Sequence, residues 1–203
     1  MQSPRSDGRD SSPEAIVIVP LRSLHRGKKR LGTALSEEDR AELIERMART
    51  VIGAANGLPV LVVHDDAAVA PWAEALGATP LAGRRPGLNN AVEEGRTHAR
   101  LLGHTRIIVA HADLPHARDL RPLASIEGIA IVPDLHGDGT NVLSLPVDAD
   151  FEFAYGPGSF EHHHRNAESS GLPVTVVHDA DLGIDIDHPE DLLSLDPTPP
   201  EAP

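Results

Sequence analysis

The stretch "GIAIVPDLHGDGTNVLSLPV", Gly128 to Val147, decides how the chain folds. It opens on an apolar, β-branched run, "GIAIVPD", that reads as a buried strand ending at Asp134. It closes on a second strand-like run, "TNVLSLPV", with no helical period between the two. The linking "DLHGDG" puts Asp134, Asp138 and Gly139 at three of the positions of a calcium-binding EF-hand loop. The rest of that pattern fails. His136 replaces the expected Asp or Asn, Leu145 replaces the bidentate Glu, and a strand follows where a helix is needed. What remains is Gly137, Gly139 and Thr140 in a strand-to-strand loop. Such a loop is either a plain tight turn or an anion cradle of backbone N–H groups and a hydroxyl.

Upstream of this stretch, strands alternate with helices. "AIVIVPL" (Ala15–Leu21), "PVLVVHD" (Pro59–Asp65), "ATPLA" (Ala78–Ala82) and "TRIIVAHAD" (Thr105–Asp113) read as strands. Leu43, Ile44, Met47, Val51 and Ile52 recur at helical spacing behind Ser36, and Asp39 three residues on approximates a capping box. Further helices are expected over Asp66–Gly77, with Pro71 marking its start or a kink, and over Gly87–Leu102. Downstream, "FEFAYG" (Phe151–Gly156), "PVTVVHD" (Pro173–Asp179) and "LGIDID" (Leu182–Asp187) read as strands. Ser159 is expected to cap a helix to about Ser170, and Pro189–Leu195 a terminal one. The order predicts an α/β fold with a mixed, mostly parallel central sheet and helices on both faces.

Composition limits the functions available. The chain has 203 residues, 40% of them apolar, enough for one domain over residues 14–195. Residues 1–13 and the proline-rich 196–203 read as disordered tails. There is no apolar signal-peptide core and no run long enough to span a bilayer, so a cytoplasmic protein is the expectation. Cysteine is absent, which excludes disulfides, thiolate metal sites and cysteine nucleophiles. A formal charge of −13 argues against nucleic acid as a partner. Against it, "RSLHRGKKR" (Arg22–Arg30) gathers both lysines of the chain and three arginines just after the first strand. It is either a solvated turn or a local anion site.

In open α/β sheets ligands bind beyond the carboxyl ends of the strands. Asp113 ends the fourth expected strand, and Asp185 and Asp187 alternate on one face of another. Three converging carboxylates require a cation, and Mg²⁺ suits oxygen ligands shared with phosphates. The alternative is a set of ordinary loop and capping aspartates. "YGPGSFEHHHR" (Tyr155–Arg165) brings Gly156, Gly158 and Ser159 to a helix start, either an anion site or an N-cap. The run His162–His164 cannot chelate one ion, because successive helical side chains point about 100° apart. "RRPGLNNAV" (Arg84–Val92) enters a helix through Gly87 and Asn89, as a base or ribose contact or as a plain cap.

In this order, "VPL…GKKRL…LS…R", "GLNNAV", "ADLP", "DLHGDGTNVL", "YGPGSF…H" and "DIDHPEDL" resemble the phosphoenolpyruvate / 2-phospho-L-lactate guanylyltransferase family of coenzyme F-420 biosynthesis. The resemblance runs from about Ala15 to Leu195. It implies a single-domain nucleotidyltransferase fold, Rossmann-like and GT-A-like. It implies transfer of GMP from GTP to a phosphorylated three-carbon acid, with release of pyrophosphate. It also implies Mg²⁺ on Asp113, Asp185 and Asp187, and contact of Thr140, Gly156 and Ser159 with the acid. Arg22, Lys28 and Arg30 are implied near the GTP phosphates, Lys28 with a catalytic role, and Gly87 and Asn89 near the guanosine. A homodimer and handover to the next enzyme of the pathway are compatible with it. The chain departs from the family at Arg22, where Lys is frequent, at Lys29, where Ser or Thr is usual, and in "AHADLP", which replaces a more apolar strand end. Three alternatives stand beside this reading: an acceptor such as 3-phosphoglycerate, a different base, or a catalytically silent nucleotide-binding module.

Overall fold

The structure, a computed structural model, describes residues 14–195. The two expected disordered tails lie outside the described residues. β1 (Ala15–Pro20), β2 (Val60–His64), β3 (Thr79–Ala82) and β4 (Arg106–Ala110) pair in parallel, with β1 between β2 and β4. β5 (Ile129–Pro133) and β6 (Thr140–Pro146) form a hairpin, and β6 also pairs antiparallel with β4. β7 (Val174–Val176) runs parallel to β5 at the edge. The order β3-β2-β1-β4-β6-β5-β7 therefore carries one reversed strand. The short Asp134–Gly139 loop is the cause, since a parallel return needs a crossover of a dozen or more residues.

The helices are α1 (Glu37–Ala54), α2 (Val69–Ala75), α3 (Leu88–Leu101) and α4 (Ser159–Ser169). Strand alternation splits the core between the two faces. Val17, Val19, Val62 and Ile108 pack with Val51 and Ile52 of α1, whereas Ile16, Ile18, Leu61 and Ile107 pack with Val92 and Ala99 of α3. The α1 capping box forms in full: Ser36 Oγ accepts from Asp39 N–H and the Asp39 carboxylate accepts from Ser36 N–H. Pro71 lies in the first turn of α2. On α3, Gly95 permits the closest approach to β1. A Cβ there would lie 2.8 Å from Ile18 Cγ2.

Several expectations are corrected. "FEFAYG" joins no ladder. Side chains take its backbone groups instead: Arg96 donates to the carbonyls of Ala149 and Phe151, and Ala154 N–H donates to His163. "LGIDID" is irregular too, held by Asp179, which accepts from Leu182 N–H, and by Asp191, which accepts from Asp187 N–H. Ser159 does not cap α4. Gly158, at φ 70°, occupies the cap, and Ser159 is the first helical residue. The terminal Pro189–Leu195 segment is a 3-10 helix rather than an α-helix.

Candidate active site

A cleft of about 640 Å³ opens over the carboxyl ends of β1, β2 and β4. Asp113 follows β4, and Asp185 and Asp187 reach the cleft from the irregular segment before the terminal 3-10 helix. Each of the three offers an oxygen, and these oxygens lie within 4.8 Å of one another. The alternation inferred for Asp185 and Asp187 survives without a ladder. Ile186 between them is fully buried against Leu31, Leu43 and Met47, which turns its two neighbours to the other side.

Lys28 sits among these carboxylates. Its backbone is left-handed (φ 48°), and its Nζ donates to Asp113 Oδ2 and, at 2.6 Å, to Asp187 Oδ1. Burial opposes the charge on Lys28, but the two carboxylates outweigh it and raise the ammonium above its ordinary range. Burial likewise opposes ionisation of Asp113. The Lys28 charge and the neighbouring His111 overcome it and hold that carboxyl below the usual range. Asp185 gets too little relief from Lys28 and Asn141. Burial, followed by repulsion from Asp113 and Asp187, pushes it up to about 6. The second oxygen of Asp113 is buried with no hydrogen-bond partner. An orphaned carboxylate oxygen beside two further carboxylates fits a hard divalent cation such as Mg²⁺, whose ligands are oxygens.

The anion side of the cleft is built differently from the glycine cradle considered for "DLHGDG". The Asp134 carboxylate already accepts from Asp138 N–H at 3.0 Å and Gly139 N–H at 2.7 Å. The loop supplies its own anion, so these two backbone donors are spent. The backbone donors at the α4 terminus are taken too, Gly158 N–H by the Asp138 carboxylate at 3.2 Å, Ser159 N–H by the Gly156 carbonyl and Phe160 N–H by the Asp138 carbonyl, so the free donors here are hydroxyls. Thr140, Gly156 and Ser159 all line the cleft there. Thr140 N–H donates to Ser159 Oγ at 3.0 Å, which ties the start of β6 to the start of α4 and leaves the Ser159 hydroxyl hydrogen for another acceptor. A hydroxyl donor at the cleft wall suits a phosphate oxygen.

The remaining expected residues divide. Arg22, Arg30 and Gly87 line the cleft. Arg22 bonds Asp65 at 3.1 Å, and the Arg30 guanidinium lies 3.3 Å from His188. Asn89 lies outside the cleft lining. Its carboxamide clamps the backbone of Tyr155, accepting from its N–H at 2.7 Å and donating to its carbonyl at 3.3 Å. Four cleft-region residues escaped the sequence reading. His111 and Tyr155 pack with their rings tilted by 43° at 5.1 Å between centroids, and His111 Nε2 and the Tyr155 hydroxyl are buried without partners. Burial depresses the His111 pKa and raises that of Tyr155. Asn141 donates to the Leu182 carbonyl at 3.0 Å and also bonds Asp185, so it anchors the aspartate segment. His163 is fully buried beside Thr140. The single tyrosine of the chain, beside "GPG", was the one available signal for any of these.

The fold and this carboxylate-and-anion cleft define a nucleotidyltransferase. Among solved structures the chain is similar to a putative nucleotide-diphospho-sugar transferase from Desulfovibrio desulfuricans G20, with TM-score 0.74 and 17% identity over 93% of this chain and 89% of that one. It is also similar to CMP:2-keto-3-deoxy-manno-octonic acid synthetase complexed with CTP, with TM-score 0.55 and 12% identity over 90% and 96% of the two chains. Sequence narrows the class. The model of the family "Guanylyl transferase CofC like" matches residues 15–196, and the chain belongs to that family. It is 38% identical to a phosphoenolpyruvate guanylyltransferase of Rubrobacter xylanophilus, over 89% of this chain and 93% of that protein. It is 31% identical to a 2-phospho-L-lactate guanylyltransferase of Methanocaldococcus vulcanius, over 87% and 82%. It is thus an enzyme of the guanylyltransferase type. No helix among the described residues is long and apolar enough to cross a membrane.

Proposed function

We propose that the enzyme transfers GMP from GTP to phosphoenolpyruvate, or to its close analogue 2-phospho-L-lactate, releasing pyrophosphate in coenzyme F-420 biosynthesis. The observation that carries this is the pairing of the carboxylate cluster with the hydroxyls of Thr140 and Ser159 across one cleft. Asp113, Asp185 and Asp187 would hold Mg²⁺, which when bound supplies charge neutralisation at phosphate oxygens. Lys28, Arg22 and Arg30 offset triphosphate charge, and Gly87 lies on the nucleoside side. Thr140, Gly156 and Ser159 receive the acid.

The acid's phosphate is the nucleophile and the α-phosphorus of GTP the electrophile. A phosphomonoester has a second pKa of about 6, so it attacks as a dianion and needs no general base. The protein's contribution is positioning and electrostatics: it holds acceptor and donor in line and sets Arg22, Lys28 and Arg30 where charge builds up. Phosphoenolpyruvate is favoured because the 38% and 35% identical relatives carry its name, whereas those named for 2-phospho-L-lactate stand at 31% and 30%. The test is pyrophosphate release for each nucleoside triphosphate against phosphoenolpyruvate, 2-phospho-L-lactate and 3-phosphoglycerate, with and without Mg²⁺. GTP with phosphoenolpyruvate should give the highest kcat/KM, and only with the metal. GTP binding without release in any combination would mark a silent module and sink the proposal.

A further inference from the structure

His163 projects from α4 between three pieces of chain. Ala154 N–H donates to its Nε2 at 2.9 Å, and its Nδ1 lies 3.0 Å from Thr140 Oγ1. The ring is closed in by Phe151 at 5.6 Å and Tyr155 at 4.6 Å between centroids. A backbone N–H can only donate, so Nε2 must be the unprotonated nitrogen. The neutral ring therefore carries its hydrogen on Nδ1 and donates it to Thr140 Oγ1. The threonine oxygen becomes the acceptor of that bond. Its own hydrogen is left to donate elsewhere, and Thr140 lines the cleft. A hydroxyl without this partner could instead turn its hydrogen onto a nearby protein acceptor.

We infer that His163 is a positioning residue for the acceptor substrate: it fixes the Thr140 hydroxyl as a hydrogen-bond donor to the phosphorylated acid, through an imidazole tautomer set by Ala154 N–H. The inference rests on the proposed role of Thr140 toward the acid. It assigns a function to the histidine run that metal chelation cannot supply. Only the middle histidine faces inward: His163 is buried, His162 exposed and His164 half-exposed. It also places specificity for the acid partly on a residue that never touches it.

The test is a double-mutant cycle in steady-state kinetics, with GTP affinity and thermal melting measured alongside. Thr140→Val removes the hydroxyl at constant shape, His163→Phe keeps the ring and loses both nitrogens, and His163→Asn keeps a donor near the Nδ1 position. Losing one hydrogen bond to a charged acceptor should raise the KM for phosphoenolpyruvate about tenfold or more in Thr140→Val. His163→Phe should raise it about tenfold with GTP affinity unchanged, and His163→Asn should recover part of the loss. In the Thr140→Val background, His163→Phe should add no further increase. An unchanged KM in Thr140→Val would overturn the acceptor-side reading of Thr140 itself. A raised KM in Thr140→Val but not in His163→Phe, or a double mutant in which the two increases multiply, would overturn the positioning role alone.

Discussion

Asp185 carries a stability cost that Lys28 and Asn141 offset only in part, and Asp185→Asn should expose it. The carboxyl is pushed from 3.8 to about 6 by burial and by Asp113 and Asp187. For an acid whose folded pKa is raised, the cost is absent below the unfolded value, grows as pH rises from there, and is complete above the folded value. A shift of about two units at about 1.4 kcal/mol per unit is worth about 3 kcal/mol, and partial exposure of the site cuts this to roughly 1–2 kcal/mol. Asparagine copies the neutral acid and keeps the oxygen that Asn141 bonds. In a domain of this size, about 1 kcal/mol moves Tm by roughly 2–4 °C. In metal-free buffer at pH 8, Asp185→Asn should therefore melt roughly 3–6 °C above the wild type. At pH 5 about half of that advantage should remain. Adding Mg²⁺ should raise the wild-type Tm and leave the variant unmoved, while turnover of the variant is nearly abolished. A metal-free variant that melts at or below the wild type at pH 8 would refute the electrostatic account of the cluster. Full turnover in the variant would refute the assignment of the metal to it.

Three further outcomes follow from the same geometry. Lys28→Met removes the ammonium that Asp113 and Asp187 share, so turnover should fall about 100-fold while Mn²⁺ binding to nucleotide-free protein, followed by electron paramagnetic resonance, should tighten. Weaker Mn²⁺ binding would mean that the lysine assists the ion rather than competing with it. Asp134→Ala removes two charge-assisted bonds inside the hairpin loop and should lower Tm by a few degrees, with little change in KM for the acid; a selective KM increase at unchanged Tm would restore that loop to the substrate. Ser36→Ala deletes the α1 cap far from the cleft and should cost about 1 kcal/mol in urea denaturation with kinetic constants unchanged.

The parts of the fold that were legible in the sequence are those where burial alone dictates structure. β1, β2, β4 and β5 are apolar runs buried on both sheet faces, and α1 announces itself by period and cap. The misread parts are those where side chains replaced the ladder. Phe151, Phe153 and Tyr155 alternate like a strand, yet Arg96, Asn89 and His163 satisfy the backbone between them, and those partners lie on two helices. Alternation cannot distinguish a strand partner from side-chain partners distant in sequence. The site shows the same limit. Asp113, Asp185 and Asp187 could be picked out by type and position, but Asn89 has a donor and an acceptor that serve the fold as readily as a nucleoside.

The anion side carries the sharper lesson, because two motifs there competed for one job. "DLHGDG" and "YGPGSF" both offer glycines and backbone N–H groups, and composition does not rank them. The structure puts a carboxylate on both: Asp134 accepts from two N–H groups of its own loop, and Asp138 reaches across to accept from Gly158 N–H at 3.2 Å ahead of α4. The first loop thereby becomes a braced hairpin that delivers Thr140 to the cleft and also takes the N–H groups of Gly158 and Phe160, so the hydroxyls of Thr140 and Ser159 are the donors left for a ligand. The same helical geometry that forbids three successive histidines from sharing a metal turns the middle one inward onto Thr140. Rigidity at the hairpin and availability of the two hydroxyls are complementary requirements, since a donor aligned beforehand on a stiff element loses little entropy when it meets its ligand.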